Sequence, residues 1–228
     1  MKYKFILLAL SILAVSCEKI TNVTLVDGAH TGTLSYKLSD DAGKGLIGVK
    51  VSVYVTPAYT FPTFPDPDTF VRSVRTDQDG VANFSELPSM NYLVIADSAM
   101  LNGARYRTNE YVQIVAGKEK SKTVNVTDFA GILSIRVLSN RDYSTPLKNV
   151  GVVAFAFDQG RPNSATVRDF ITNATFKGVT DQNGYVSIKV PYGERFGFIV
   201  HEPNGNLGYG YDTHSVEKGR IADVRLYY

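Results

Sequence analysis

Cysteine is almost missing from this chain: Cys17 is the one cysteine in 228 residues. Any folded domain here is therefore held by its hydrophobic core and not by disulfides. Tryptophan is absent, and histidine is limited to His30, His201 and His214. The three histidines share no metal-ligand spacing, so no zinc site is expected. His201-Glu202 reads as a solvated pair. Excess charge is also missing: the formal net charge is +2, and no block of like charges points to nucleic acid or to a polybasic membrane surface. The longest apolar run, Phe5 to Val15, falls short of the about 20 residues that cross a bilayer.

That short run has a different use. Lys2 and Lys4 precede it, and Ser16 and Cys17 follow it. A basic start, a short apolar centre and small residues before a cleavage point make a secretory signal. The ending Leu13-Ala14-Val15-Ser16-Cys17 resembles the lipobox of bacterial lipoproteins. That resemblance implies cleavage before Cys17 and acylation of the new terminus. Two or more acyl chains suffice for stable anchoring. A transmembrane helix and an ordinary signal with an incidental cysteine are the competing readings. Removal of residues 1–16 takes Lys2 and Lys4 with it and leaves a chain of about zero net charge. The expected location is the bacterial cell envelope, at the outer membrane, on its periplasmic or surface face.

The rest is rich in tyrosine, phenylalanine, valine and threonine, with turn residues every ten positions or so, the spacing of an all-β sandwich or barrel. Leu34, Tyr36 and Leu38 alternate with polar neighbours, as do Val49, Val51, Val53 and Val55. Such alternation puts one set on a core and the other on an outer face. Val112, Ile114, Val124 and Val126 continue it. The one candidate helix, around Asp97 to Arg105, is interrupted by Gly103 and reads equally as a loop.

The order of landmarks then recurs. Leu34-Ser35-Tyr36 matches Leu133-Ser134-Ile135, and Leu46 to Val51 matches Leu147 to Val152. Thr76-Asp77-Gln78-Asp79-Gly80-Val81 matches Thr180-Asp181-Gln182-Asn183-Gly184-Tyr185. Leu87-Pro88 matches Val190-Pro191, and Val124-Asn125-Val126 matches Val224-Arg225-Leu226. The expectation is two tandem copies, 30–127 and 128–228, behind a lipidated tether at 17–29. The join at Phe129-Ala130-Gly131 is short, so the copies should stack with little bending. The unit's Gly45-Leu46-Ile47-Gly48-Val49-Lys50-Val51 start, its Thr76 to Phe84 segment and its Leu87-Pro88 end resemble the carboxypeptidase regulatory-like domain. The resemblance implies a transthyretin-like (Ig-like) antiparallel β-sandwich of about seven strands in each copy. It also implies an accessory or binding module without peptidase residues.

Chemistry is scarce. Asp77-Gln78-Asp79-Gly80 has the beginning of a calcium loop but not the further oxygen ligands or the distal glutamate, and reads as a hairpin turn. There is no Gly-x-Ser-x-Gly elbow and no glycine-rich phosphate loop. Asp40-Asp41 and Asp66-Pro67-Asp68 lie in turn-like sequence and do not form a glycosidase pair. No catalytic residue, metal ligand or cofactor is expected. The candidate contact residues are aromatic: Tyr59, Phe61 and Phe64 in a proline-rich insertion, and Tyr209 and Tyr211 in a glycine-rich loop starting at Gly205. Rings beside polar groups stack on sugars or anchor peptides, or else cover the end of a sandwich. The expected function is a non-enzymatic anchored module that binds a glycan or protein partner. The alternative is a structural subunit of a fimbria-like or outer-membrane assembly, since two sandwiches behind a lipoprotein signal also resemble anchored pilin subunits of some Gram-negative bacteria. Edge strands offer such partners a place to pair.

Overall fold

The computed structural model describes residues 30–56, 67–157, 160, 162–202 and 207–228. Cys17, Tyr59, Phe61 and Phe64 lie outside the described residues. The first seven strands are β1 (Thr31–Ser39), β2 (Lys50–Val55), β3 (Phe70–Arg75), β4 (Val81–Pro88), β5 (Asn91–Leu101), β6 (Ala104–Gln113) and β7 (Glu119–Asn125). The next seven are β8 (Ala130–Leu138), β9 (Gly151–Ala156), β10 (Phe176–Val179), β11 (Tyr185–Pro191), β12 (Phe196–His201), β13 (Leu207–His214) and β14 (Ile221–Tyr227). One helix, α1 (Val167–Asn173), sits between β9 and β10.

Each set of seven makes a three-stranded and a four-stranded sheet. The orders are β4-β1-β7 with β3-β2-β5-β6, and β11-β8-β14 with β10-β9-β12-β13. Adding seven to each number of the first set gives the second, so the copies share one topology. The protein is thus two β-sandwiches of seven strands each. Most pairs are antiparallel, but β7 runs parallel to β1 and β14 parallel to β8.

The alternating sequence sets the cores. Leu34, Tyr36 and Leu38 pack with Val51, Val53, Phe84 and Tyr92 in the first sandwich. Leu133, Ile135 and Val137 pack with Val152, Ile188, Phe196 and Phe198 in the second. A third cluster lies in the second sandwich. Val153, Phe155 and Ile199 face outward from its four-stranded sheet and are buried under Val167, Phe170 and Ile171 of α1. Hence β9 and β12 are buried on both faces and read as continuous apolar runs, Gly151 to Ala156 and Phe196 to Val200.

The shared Thr-Asp-x-x-Gly motif is a hydrogen-bonded clasp, built twice. Thr76 Oγ1 accepts from Val49 N and donates to Leu46 O, as Thr180 Oγ1 accepts from Val150 N and donates to Leu147 O. Asp77 Oδ1 accepts from the backbone N–H of Asp79 and Val81, and Asp181 Oδ1 from those of Asn183 and Tyr185. Gly80 and Gly184 close the turns at φ of 77° and 76°, and their carbonyls receive Leu38 N and Val137 N. A side chain at Gly80 would come within 2.5 Å of Leu38 O. The sequence match therefore reflects backbone satisfaction at one corner of the sandwich.

Three local expectations need correction. Asp97 to Arg105 is neither helix nor loop but the tip of the β5–β6 hairpin, turning at Asn102 and Gly103 with φ of 51° and 75°. Leu207 to His214 is strand β13, not loop, and Tyr209 pairs with Ile199 along its backbone. The final strands match with a two-residue displacement: Val124 lies opposite Leu38, and Leu226 opposite Val137, so Leu226 is the counterpart of Val124. Period-two alternation looks the same after a shift of two, and that hid the offset.

Candidate functional site

The two sandwiches meet through a packed junction. Tyr192 N donates to Phe129 O at 3.0 Å, and the two rings lie 6.0 Å apart. Lys218 Nζ sits 3.3 Å above the Phe129 ring, at cation–π distance. Phe176 packs against both cores. Burial pushes the Tyr192 and Tyr106 hydroxyls above their ordinary range. Asp41 accepts hydrogen bonds from the Thr127 hydroxyl and from Asn125 Nδ2, and these hold its carboxyl below the usual range. At the equivalent place on the first sandwich's free end, Ser89 N donates to His30 O. The aromatic docking pair is thus particular to the second copy.

Beside the junction lies a cleft of about 510 Å³, within the size range of small-molecule sites. The β5–β6 tip forms one wall with Met100, Gly103, Ala104 and Arg105. The floor carries Phe155, Phe176 and Phe196, and α1 supplies Phe170, Asp169 and Asn173. Thr175 and Glu194 complete the rim. Thr175 Oγ1 donates to Asn102 O at 2.8 Å and ties the hairpin tip to the second sandwich. Edge-to-face contacts fix the rings, Phe155 on Phe170 at 5.5 Å and Phe176 on Phe196 at 5.6 Å. The arrangement can hold an apolar body on the ring floor and hydrogen-bond its polar groups at the rim.

Of the predicted contact residues, Tyr59, Phe61 and Phe64 lie outside the described residues. Tyr209 and Tyr211 lie in β13, at the edge of the second four-stranded sheet. The cleft was missed because its wall comes from a hairpin read as a helix or a loop and its flank from a helix not anticipated. Phe170 and Ile171 on one face of a segment opened by Thr166 were the available signal. Among the described residues no group of histidine, cysteine or carboxylate side chains has metal-binding geometry. The Asp77 Oδ1 atom that a calcium loop would use is engaged by two backbone N–H groups.

At the opposite end of the second sandwich, the loop after β8 is tightly organised. Asp142 accepts from Ser144 N, Thr145 N and the Thr145 hydroxyl, which brings its carboxyl down to about 2. Tyr143 is held there at φ 57°, exposed, with its ring 5.4 Å from that of Tyr227. No helix among the described residues is long and apolar enough to cross a membrane.

No family model matches the chain, and no curated protein does. The likeness to the carboxypeptidase regulatory-like domain rests on the motifs alone. Among solved structures, the TIE protein of Bacillus anthracis is 20% identical, with a TM-score of 0.39, covering 87% of this chain and 34% of its own. This chain thus spans about a third of that protein's length. A minor pilin of Streptococcus agalactiae is 15% identical at a TM-score of 0.38, covering 86% of this chain and 95% of its own. The shaft pilin SpaA of Lactobacillus rhamnosus GG is 12% identical at 0.31, covering 88% and 98%. At these values nothing about activity or partners passes to this chain.

Proposed function

We propose that the protein is a non-enzymatic subunit of the bacterial cell envelope, tethered by lipid at Cys17, that serves as a structural or adhesive building block. The observation that carries this reading is the junction. Phe129, Tyr192, Lys218 and Phe176 join the two sandwiches through shared packing. A stalk of this kind carries surfaces to a distance from its anchor, which is the use of a structural subunit and not of a catalyst. Chemical cross-linking in intact membranes, followed by sedimentation of the lipidated protein, tests it. Defined oligomers or a stoichiometric envelope partner are the expected result. A strictly monomeric protein with no co-purifying partner overturns it.

The cleft supports a second reading, a binding module for a glycan or protein partner. Its ring floor and polar rim suit a ligand with one apolar face. Glycan-array binding that survives Ala156→Phe, which fills the cleft, would count against this reading. Survival after replacing Tyr59, Phe61, Phe64, Tyr209 and Tyr211 with alanine would dismiss the aromatic segments as the site.

A further inference from the structure

The two sandwiches share a topology but not an outer surface. On β4-β1-β7 the outward positions are Thr33, Ser35 and Lys37 with Asn83, Val81, Glu119, Ser121 and Thr123 in register. None of the exposed large hydrophobic residues among the described ones lies there. The same face of β11-β8-β14 has several: Ile132, Ile221, Tyr185 and Tyr227, with Tyr143 adjoining from the loop. In its middle, Arg136 and Arg225 stand in register on neighbouring strands, which are about 4.8 Å apart. Like charges in facing positions of a sheet are unfavourable. Neither arginine forms an ion pair among the described residues. Arg136 stacks its guanidinium 5.1 Å from the centre of the Tyr185 ring, and its buried Nε has no hydrogen-bond partner. Asp223, two positions from Arg225 on the same face, forms no ion pair with either.

Two further observations point outward. Tyr143 is 65% exposed yet held at positive φ, a conformation that costs a bulky residue about 1–3 kcal/mol and concentrates at functional sites. The hydrogen bonds of Asp142 hold that loop in place, so the ring is presented without the entropy cost of fixing it on binding. Strand β14 is also an edge strand, with Asp223 and Arg225 as its charges. Its counterpart β7 carries Lys120 and Lys122 along the edge, a common defence against strand pairing, while β14 has no lysine, proline or bulge.

We propose that the outer face of β11-β8-β14, with the Tyr143 loop, is a docking surface for an acidic extended segment of a protein partner. The segment would pair along β14, set carboxylates on Arg225 and Arg136, and cover Tyr143, Tyr185 and Tyr227. Unpaired guanidinium groups among exposed tyrosines call for carboxylates, and the open edge calls for a peptide backbone and not a sugar chain. This rests on the reading of the protein as an assembly subunit and names the face through which it would assemble.

The test uses full-length protein in detergent and a fluorescent octapeptide of alternating glutamate and valine, followed by anisotropy. Binding should weaken as salt rises, and should drop at least about tenfold in an Arg136→Gln/Arg225→Gln variant. Lys120→Gln, on the first sandwich, should change nothing, and a glutamine–valine peptide should not bind. Hydrogen exchange should slow along β14 when the acidic peptide is present. Equal binding by the double glutamine variant overturns the proposal. So does binding of an oligogalacturonate but not the peptide, which would make this a surface for acidic glycans. A monomeric protein that still binds the peptide at this face removes the assembly reading alone. Oligomers that form normally in the double glutamine variant remove the docking face alone.

Discussion

Thr76 and Thr180 do more for this fold than their size suggests. Each is buried, and each hydroxyl satisfies one backbone N–H and one carbonyl that no strand partner reaches. Valine is nearly the same shape but supplies neither group. Thr180→Val strands the amide of Val150 and the carbonyl of Leu147 and should cost about 3 kcal/mol, while Thr180→Ser should recover most of it. Urea unfolding of the three proteins checks this. The motif was legible in the sequence because it occurs twice, yet its meaning was not. Asp77-Gln78-Asp79-Gly80 has the composition of a cation loop, and only the hydrogen-bond partners show that Asp77 works for the backbone. One position that differs between the matched segments is explained at this scale. Gly48, at φ 74°, becomes Asn149, at φ 58°, and asparagine is the side chain that best tolerates that region.

Among the elements, α1 gives the second copy a covered outer sheet face. Val153, Phe155 and Ile199 would face solvent without it. Phe170 is the half-buried ring that covers them and also forms a side of the cleft. Phe170→Ala should cost about 2–3 kcal/mol, towards the low end for a buried ring because this one is partly exposed. It should also increase binding of a hydrophobic dye, and chemical denaturation with dye titration reads both. Alternation in β1, β8 and their partners was readable because one face is polar. The elements around the cleft were not. Ala96 to Arg105 is rich in helix formers, and the tight turn at Asn102-Gly103 together with a bulge after Ala96 keeps it extended. Gly208 and Gly210 made β13 look like a loop. Gly208 is needed there because the Tyr228 ring lies against it, leaving no room for a side chain.

In the whole molecule, the second copy is built to sit on the first. Tyr192 and Phe129 occupy the places that Ser89 and His30 hold at the free end. Tyr192→Ser therefore gives the second copy the first copy's surface. The intact protein should unfold in a single calorimetric transition, and Tyr192→Ser should separate it into two. A single transition in the variant would mean that the cleft contacts, including Thr175 to Asn102, couple the halves unaided. The order of the copies could be read from the sequence. The short join also implied stacking, but not its contacts, because Phe129 and Tyr192 look like ordinary strand ends until the fold brings them together.

The parallel pairing of first and last strands has a mechanical side. In each sandwich the chain enters along β1 or β8 and leaves along the neighbouring β7 or β14, running in the same direction. Tension applied between the entry and the exit of a sandwich would pull these neighbours in opposite senses along their length. The ladder between them, seven registered pairs in each sandwich, would then be loaded in shear, all its bonds together, and not peeled one at a time. A chain threaded this way resists stretching far better than its modest cores would suggest.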